Sequence, residues 1–238
     1  MTDEIFISIV IPVLNEEESI EKLYKKVLES LVSYSSWEII FVDDGSYDNS
    51  YNVIRNIVGT DKRVKAIQLF KNFGKAAALS EGFKLVKGKY VVTIDADLQD
   101  DPKEIPNLVS KLETGYDLVS GWKIDRQDPW TKTLPSKIFN FITRILTGVR
   151  IHDFNCGLKI YRKSVVRALD IYGGLHRYIP ALASQKQFRI TEIPVKHYPR
   201  KYGMSKYGGN RLLHGFFDLI TILFFNRYIQ RPLHLFGF

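Results

Sequence analysis

The stretch that decides the fold is VVTIDADLQDDP, residues 91–102. Its first four residues are β-branched and mostly apolar, and a run without alternation is typical of a strand in a parallel sheet, where both faces are covered. The strand runs straight into carboxylates. Because open α/β sheets bind ligands beyond the carboxyl ends of their strands, we predict an acidic ligand site at the end of this strand.

Two of these carboxylates have the spacing of a metal site. Asp95 and Asp97 are two residues apart, so in an extended chain both would point to one face of the sheet. Such a pair repels unless a cation lies between its members or one of them is protonated. Hard oxygen ligands suit Mg²⁺ or Mn²⁺. The alternative is a solvated acidic turn that caps the helix starting near Pro102, and we assign Asp100 and Asp101 to that role.

The sequence on both sides of this stretch predicts a doubly wound sheet. Apolar strands alternate with segments of helical periodicity, which indicates a mostly parallel α/β architecture. The predicted strands before the central one are 5–11, 37–42 and 64–69, and the helices between them begin near residues 15, 51 and 76. After the first strand there is no glycine fingerprint of a dinucleotide-binding fold, and the chain has no Walker loop. These absences argue against NAD, FAD and ordinary P-loop nucleotide chemistry.

Length and charge limit the remaining classes of function. The 238 residues fit one large domain, or one domain with an appendage. The formal charge of +8 is concentrated after residue 196 and predicts an anionic partner, either nucleic acid or a membrane surface. The single cysteine, Cys156, excludes an internal disulfide and fits a reducing compartment. No secretory signal is visible, and no apolar run reaches the ~18 residues that span a bilayer.

Five stretches in order along the chain resemble one family. They are IPVLNE at 11–16, VDDGS at 42–46, NFGK at 72–75, DADLQD at 95–100, and the segment 197–206. Together they resemble glycosyltransferase family 2, and within it the dolichol-phosphate mannose synthase-like branch of polyprenyl-phosphate glycosyltransferases. The resemblance covers nearly the whole chain. It implies the GT-A fold, a Rossmann-like nucleotide-sugar-binding domain that agrees with the mostly parallel sheet.

The resemblance also implies roles for individual residues on the donor side. Asp97 would be the principal ligand of Mg²⁺ or Mn²⁺, with Asp95 orienting the sugar or the metal shell and Gln99 in support. Helix capping and turn formation are the alternative for the polar residues of this group. The residues implied to bind the nucleotide sugar are Pro12, Asn15, Glu16, Asp43, Asp44, Asn72, Gly74, Lys75, Asp95, Ala96, Gln99, Arg200 and Lys206.

On the acceptor side, the resemblance places cations at the lipid phosphate. Arg126, Lys132 and Ser136 match these positions, although a solvated basic helix face explains them equally well. Asp153 joins Asp95 and Asp97 among the candidate catalytic residues. A phosphate monoester is largely anionic at neutral pH, so we expect Asp153 to position or polarise the phosphate rather than act as a base.

The C-terminal part of the chain is apolar with basic ends. Residues 211–228 are too short and interrupted to span a bilayer, and their pattern favours an amphipathic helix at the membrane interface. A docked core helix or a dimer contact is the alternative. We therefore expect a catalytic domain at 1–209 and a juxtamembrane segment at 210–238, with any membrane-spanning region absent from this chain.

These observations predict an inverting glycosyltransferase on the cytoplasmic face of a membrane. It would move a hexose from UDP-glucose, GDP-mannose or a similar donor to an undecaprenyl or dolichyl phosphate. One alternative is a family 2 enzyme with a soluble saccharide acceptor. The other is a non-enzymatic nucleotide- or nucleic-acid-binding protein, which the Asp95 and Asp97 pair argues against because it would repel a polyanion. We expect no nucleic-acid partner and leave homo-oligomers open.

Overall fold

The computed structural model describes residues 5–124, 130–202, 217–221 and 224. Strands and helices alternate through the first half of the chain, as the sequence predicts. The strands are β1 (Ile7–Val13), β2 (Trp37–Asp43), β3 (Val64–Gln68), β4 (Tyr90–Thr93), β5 (Leu118–Trp122), β6 (Lys159–Arg162) and β7 (Ile190–Pro194). The helices are α1 (Ile20–Ser30), α2 (Ser50–Thr60), α3 (Lys75–Leu85), α4 (Ile105–Glu113), α5 (Trp130–Thr147), α6 (Lys163–Ala168) and α7 (Ile179–Gln185).

The strands form one seven-stranded sheet in the order β3-β2-β1-β4-β6-β5-β7. All pairs between neighbours are parallel except those of β6, which runs antiparallel to both β4 and β5. The prediction of an α/β fold with a mostly parallel sheet is confirmed. The order reverses between β1 and β4, and such a switch point is where open α/β sheets form their ligand crevice.

Pro12 opens this crevice. It lies within β1, where it pairs with Val42 of β2, so the strand continues one residue past the proline at which we expected it to end. The backbone N–H and C=O groups of successive residues in β1 point alternately toward its two neighbouring strands. Those of Val10 and Pro12 point toward β4, and the Val10 carbonyl accepts a hydrogen bond from the Ile94 amide. Proline has no N–H to continue this ladder. Pairing with β4 therefore stops while pairing with β2 continues, and the two chains separate.

Helices cover both faces of the sheet. On one face, Ile9 and Ile11 of β1 pack in a cluster with residues of α1, α2 and α4. On the other face, Val10 packs with α3, α6 and α7. This inside-outside alternation at successive positions of one strand explains why the strand is apolar throughout.

A third, smaller core lies beneath α5. Phe139 and Ile142 of α5 pack against a buried cluster that includes Leu219 from the helical turn at 217–221. The opposite face of α5 is exposed and apolar. Among the described residues, no helix has the length and apolar character needed to cross a bilayer. The division into 1–209 and 210–238 stays a prediction, because most of the second segment lies outside the described residues.

Gly82 tests how closely α3 approaches the sheet. A Cβ at this position would overlap Cγ1 of Val10, a branched and fully buried side chain. We expect Gly82→Ala to lower the free energy of unfolding by about 1–3 kcal/mol, because the helix must move off the sheet. Urea-induced unfolding of the purified protein measures this change.

The matched control for this variant is Gly59→Ala. Gly59 is a helical glycine of α2 whose added Cβ would meet no atom within 4 Å. Alanine should stabilise α2 here by up to about 1 kcal/mol, because it has the higher helix propensity. Equal effects of the two substitutions would contradict the close packing of α3.

Candidate active site

A cleft of about 200 Å³ lies at the carboxyl ends of β1 and β4. It is the crevice expected from the switch point of the sheet. Most of the residues predicted on the donor side meet there. Its lining includes Pro12, Glu16, Asp44, Asn72, Gly74, Lys75, Asp95, Ala96, Asp97 and Arg200.

Asp44 fixes the loop that enters α3. Its two carboxylate oxygens accept hydrogen bonds from the backbone amides of Phe73 (2.8 Å) and Gly74 (2.9 Å). Gly74 has a φ of 94°, in the left-handed region that glycine tolerates best. Burial raises the pKa of Asp44, although the two amides favour its charged form. The loop is thereby held so that the N-terminus of α3 faces the cleft.

Asp43 and Asn15 join the first two strand ends. Ser46 donates to Oδ1 of Asp43 through its hydroxyl and accepts the Asn15 amide at 2.9 Å. The Asn15 side chain accepts from the backbone of Tyr47 at 3.0 Å. Oδ2 of Asp43 is buried and has no hydrogen-bond partner among the described residues. Because buried polar atoms are normally paired, this oxygen is available to a ligand.

Asp95 is held by an ion pair and a glycine. Lys75, the first residue of α3, places its Nζ 2.5 Å from Oδ1 of Asp95. Gly157 faces the same carboxylate, and a Cβ there would lie 2.5 Å from Oδ2 of Asp95. Desolvation opposes the charged form, but Lys75 lowers the pKa of Asp95 to about 2. Asp95 is therefore a fixed anion at neutral pH.

Asp97 shares a cation with Glu16 across the cleft. Arg200 donates to Oδ2 of Asp97 at 2.6 Å and to Oε1 of Glu16 at 3.0 Å. Burial, and then the charge of Asp95, raise the pKa of Asp97 to about 6, against the effect of Arg200. The segment after β7 is thus tied to the ends of β1 and β4.

The donor set fits a hard divalent cation. Asp95 and Asp97 supply carboxylate oxygens at the edge of the cleft, and Mg²⁺ commonly takes one or two protein carboxylates together with phosphate and water oxygens. Burial, and then the negative charge of Asp95, raise the pKa of Asp97, and Arg200 offsets this only in part. Gln99, the third predicted ligand, donates its side-chain amide to the Tyr198 carbonyl at 3.3 Å. The structure therefore places Gln99 against the segment after β7.

Asp100 is not the solvated capping residue that we expected. It is buried and pairs at 2.9 Å with Lys123, whose pKa is raised by Asp100 despite the opposing effect of burial. Charge compensation explains this placement, because a carboxylate can enter the interior beside an ammonium. Asp101 does cap the 3₁₀ turn that follows, by accepting from the Lys103 amide at 3.1 Å.

The structure describes the side chains of two predicted acceptor-side residues, Ser136 and Asp153. Ser136 is partly exposed on α5. Asp153 is buried, and its Oδ1 accepts the Asn155 amide at 2.9 Å, which shapes the turn before β6. Neither residue lines the cleft. Arg126, Lys206 and the side chain of Lys132 lie outside the described residues.

A group of basic residues beside the cleft was not predicted from the sequence. Lys159, His176 and Arg177 line a second cavity, of about 60 Å³. The signal available for Lys159 was a lysine next to the apolar residues Ile160 and Tyr161 of β6. His176 and Arg177 lie in the 3₁₀ turn Leu175–Tyr178 before α7, and their sequence context gave no such signal.

Comparison with known proteins is consistent with this geometry. The model of the family described as "Glycosyl transferase family 2" matches residues 8–170. The chain is 40% identical over 237 residues to a dodecaprenyl-phosphate galacturonate synthase of Rhizobium johnstonii, covering 97% of this chain and 70% of that protein. It is 40% identical over 220 residues to an undecaprenyl-phosphate 4-deoxy-4-formamido-L-arabinose transferase of Edwardsiella ictaluri, covering 92% of this chain and 68% of that protein.

A solved structure shares the fold. Glucosyl-3-phosphoglycerate synthase from Mycobacterium tuberculosis, crystallised with Mn²⁺ and UDP-glucose, aligns with a TM-score of 0.69 at 21% identity. The alignment covers 93% of this chain and 78% of that one. At this identity the likeness concerns the fold.

Gly157→Ala tests whether the position of the Asp95 carboxylate depends on the absence of a side chain at residue 157. The new Cβ would displace the carboxylate and break its pairing with Lys75. We expect Gly157→Ala to lower the free energy of unfolding, measured with urea, by about 1–3 kcal/mol relative to the wild-type protein. Lys75→Met removes the same ion pair without overpacking.

The double variant completes this test. If both substitutions act through the pair between Lys75 and Asp95, the double variant will lose less free energy of unfolding than the two single variants lose in sum. Full additivity would show that Gly157 acts elsewhere.

Proposed function

Since the chain belongs to glycosyl transferase family 2, we propose that it transfers a sugar from a nucleotide diphosphate sugar to a polyprenyl phosphate at a membrane surface. The observation that carries this proposal is the cleft itself. Its carboxylates, and the two cations that pair with them, Lys75 and Arg200, line the switch point of an open α/β sheet.

The donor would lie along the strand ends. The nucleoside would contact Pro12, Asn15 and Asp43, where the unpartnered Oδ2 of Asp43 can accept from a base or ribose group. The diphosphate would lie toward Lys75 and Arg200. The N-terminus of α3 favours it there, because helix N-termini attract anions.

A divalent cation would be held by Asp95 and Asp97. When bound, Mg²⁺ or Mn²⁺ would supply electrostatic stabilisation of the negative charge on the diphosphate. Arg200 bonds Asp97 and Glu16 in the present structure. Its guanidinium is suited to form charge-assisted, two-pronged hydrogen bonds to phosphate oxygens once these are present.

The transfer would be a single in-line displacement. An oxygen of the lipid phosphate attacks the anomeric carbon, the bond from that carbon to the diphosphate oxygen breaks, and the configuration inverts. The nucleotide diphosphate leaves with the bonding electrons. No general base is required, because the attacking phosphate is already anionic at neutral pH. Asp153, buried in the turn before β6, would position this turn rather than accept a proton.

The names of the relatives support a polyprenyl phosphate acceptor. The two relatives described above act on dodecaprenyl phosphate and undecaprenyl phosphate by name, but with different sugars. The test below therefore includes donors with different sugars and with either uridine or guanosine as the nucleoside.

The surface of α5 supports a membrane-associated acceptor. Four apolar side chains on this helix, at spacings of four, three and four residues, form one exposed stripe: Leu134, Ile138, Phe141 and Ile145. The helical turn near the C-terminus adds exposed Phe217, Ile220 and Phe224. Basic residues, among them Lys137 and Arg144, lie on α5 as well. An apolar stripe with basic neighbours suits an anionic bilayer surface.

A soluble saccharide acceptor is the second candidate for this family. It would leave the exposed stripe of α5 without a role. Turnover of a short polyprenyl phosphate, with no turnover of saccharide acceptors, distinguishes the two candidates. A non-enzymatic nucleic-acid-binding role is disfavoured by the carboxylates of the cleft, which repel a polyanion.

Calorimetric titration tests the donor site. We expect one nucleotide class, from panels of UDP-sugars and GDP-sugars, to bind in the presence of Mn²⁺. Asp97→Asn keeps the shape and removes the charge, and it should weaken this metal-dependent binding on the order of a hundredfold. Glu21→Gln, at an exposed carboxylate of α1, is the matched control and should bind like the wild type. A folded wild-type protein that binds no nucleotide sugar would overturn the proposed function.

Sedimentation with anionic vesicles tests the membrane surface. Ile138→Ser combined with Phe141→Ser should lower the partition coefficient by about tenfold, because both half-exposed side chains lose apolar contact. Val32→Ser, at an exposed apolar residue after α1, is the control. Dimerisation of the wild-type protein that the double substitution abolishes, without vesicle binding, would assign the stripe to a protein contact instead.

A further inference from the structure

The second cavity shares a wall with the donor cleft. It measures about 60 Å³ and is bounded by β4, the turn before β6, β6 itself and the segment before α7. Lys75 and Asp95 line both spaces. A molecule with its diphosphate in the cleft can therefore extend a neighbouring group toward this cavity. The function proposed above assigns the cavity no role.

Lys159 brings a buried positive charge to the cavity. The residue is 3% exposed. Its ammonium donates to the backbone carbonyls of Phe154 (3.2 Å) and Cys156. No carboxylate of the described chain forms an ion pair with it. Burial lowers the pKa of Lys159 more than the nearby charges, among them those of Asp153 and Asp95, raise it. An anion in the cavity would stabilise its charged form.

Two further polar atoms at the cavity lack partners. Nδ1 of His176 and Oδ1 of Asn155 are buried, and neither has a hydrogen bond within the described part of the chain. Burial, with the charges of Lys75 and Arg177, lowers the pKa of His176 well below its ordinary value, so the ring is neutral and offers one N–H. Unpaired buried polar atoms are rare in native proteins. Here an ammonium, an imidazole and an amide oxygen surround one small space, in which the carboxylate of Asp95 is already paired with Lys75.

We propose that this cavity is a subsite for an acidic group on the transferred sugar, so that the donor is a nucleotide-linked uronic acid rather than a neutral hexose. The carboxylate would bond the Lys159 ammonium and the His176 ring, and Asn155 would accept from a neighbouring sugar hydroxyl. The proposal rests on the function proposed above, since it requires the diphosphate to occupy the cleft.

The position of the cavity favours a sugar carboxylate over the phosphate of the lipid. A water molecule needs about 10–15 Å³ of such space, so the cavity holds one small acidic group with a few waters. The wall that the cavity shares with the cleft lies beside the proposed diphosphate site, and the sugar is bonded directly to the diphosphate.

Matched donor pairs test this subsite. Binding in the presence of Mn²⁺ is measured by calorimetry for UDP-glucuronate against UDP-glucose, UDP-galacturonate against UDP-galactose, and GDP-mannuronate against GDP-mannose. In at least one pair the wild-type protein should prefer the uronate by about tenfold or more, which is the effect of a hydrogen-bonded charge. Lys159→Met should remove this preference while the affinity for the free nucleotide diphosphate stays unchanged.

Two further variants keep the test decisive if Lys159→Met does not fold. His176→Leu fills similar space without the N–H and should reduce the uronate preference several-fold. Lys163→Met is the control: this lysine lies outside the cavity and donates to one backbone carbonyl, that of Lys87. It should leave the preference at the wild-type value.

The outcomes separate the subsite from the function on which it rests. Equal or tighter binding of the neutral sugars by the wild type overturns the subsite and leaves the transferase intact. A raised KM for polyprenyl phosphate in Lys159→Met, with unchanged donor preference, assigns the cavity to the acceptor phosphate and also overturns it. Failure of every nucleotide sugar to bind removes the proposed function itself.

Discussion

The structure depends on the compensation of negative charge just after β4. Four carboxylates lie within residues 95–101, just after that strand, and they are held by groups from three other parts of the chain. Lys75 binds Asp95, Arg200 binds Asp97, Lys123 binds Asp100, and the Tyr198 hydroxyl donates to Asp101. Because uncompensated charges repel, these contacts set where α3, the end of β5 and the segment after β7 can lie. One acidic segment thus organises elements that are far apart in sequence.

Much of the fold was predictable because its determinants are local. Apolar runs, helical periodicity and the acidic strand ends determined the order of elements through β4. The antiparallel placement of β6 was not predictable in this way, since it depends on a long connection through α5. Asp100 was misassigned for a related reason: its partner Lys123 follows the end of β5, and sequence spacing does not reveal such a pair. Lys159 and His176 likewise acquire a common role only through the folded sheet.

The two sides of the proposed reaction differ in how they are built. The donor side is rigid: strand ends, a loop fixed by Asp44 and a carboxylate wedged between Lys75 and Gly157. Preorganised charges of this kind act without rearrangement when charge develops on a leaving group. On this proposal the acceptor side would be a surface, formed by the exposed apolar stripe of α5 over a small core that also contains Leu219. A donor that diffuses in water and an acceptor confined to a bilayer would each meet the environment that suits them.

Pro12 gives the cleft a particular kind of robustness. The opening between β1 and β4 follows from the amide hydrogen that Pro12 lacks, and it does not rely on the other side chains that line the opening. Substitutions of those side chains therefore leave the ends of β1 and β4 separated. Architecture and selectivity are separable here, so one scaffold can be retuned to new sugars by changes at its lining alone.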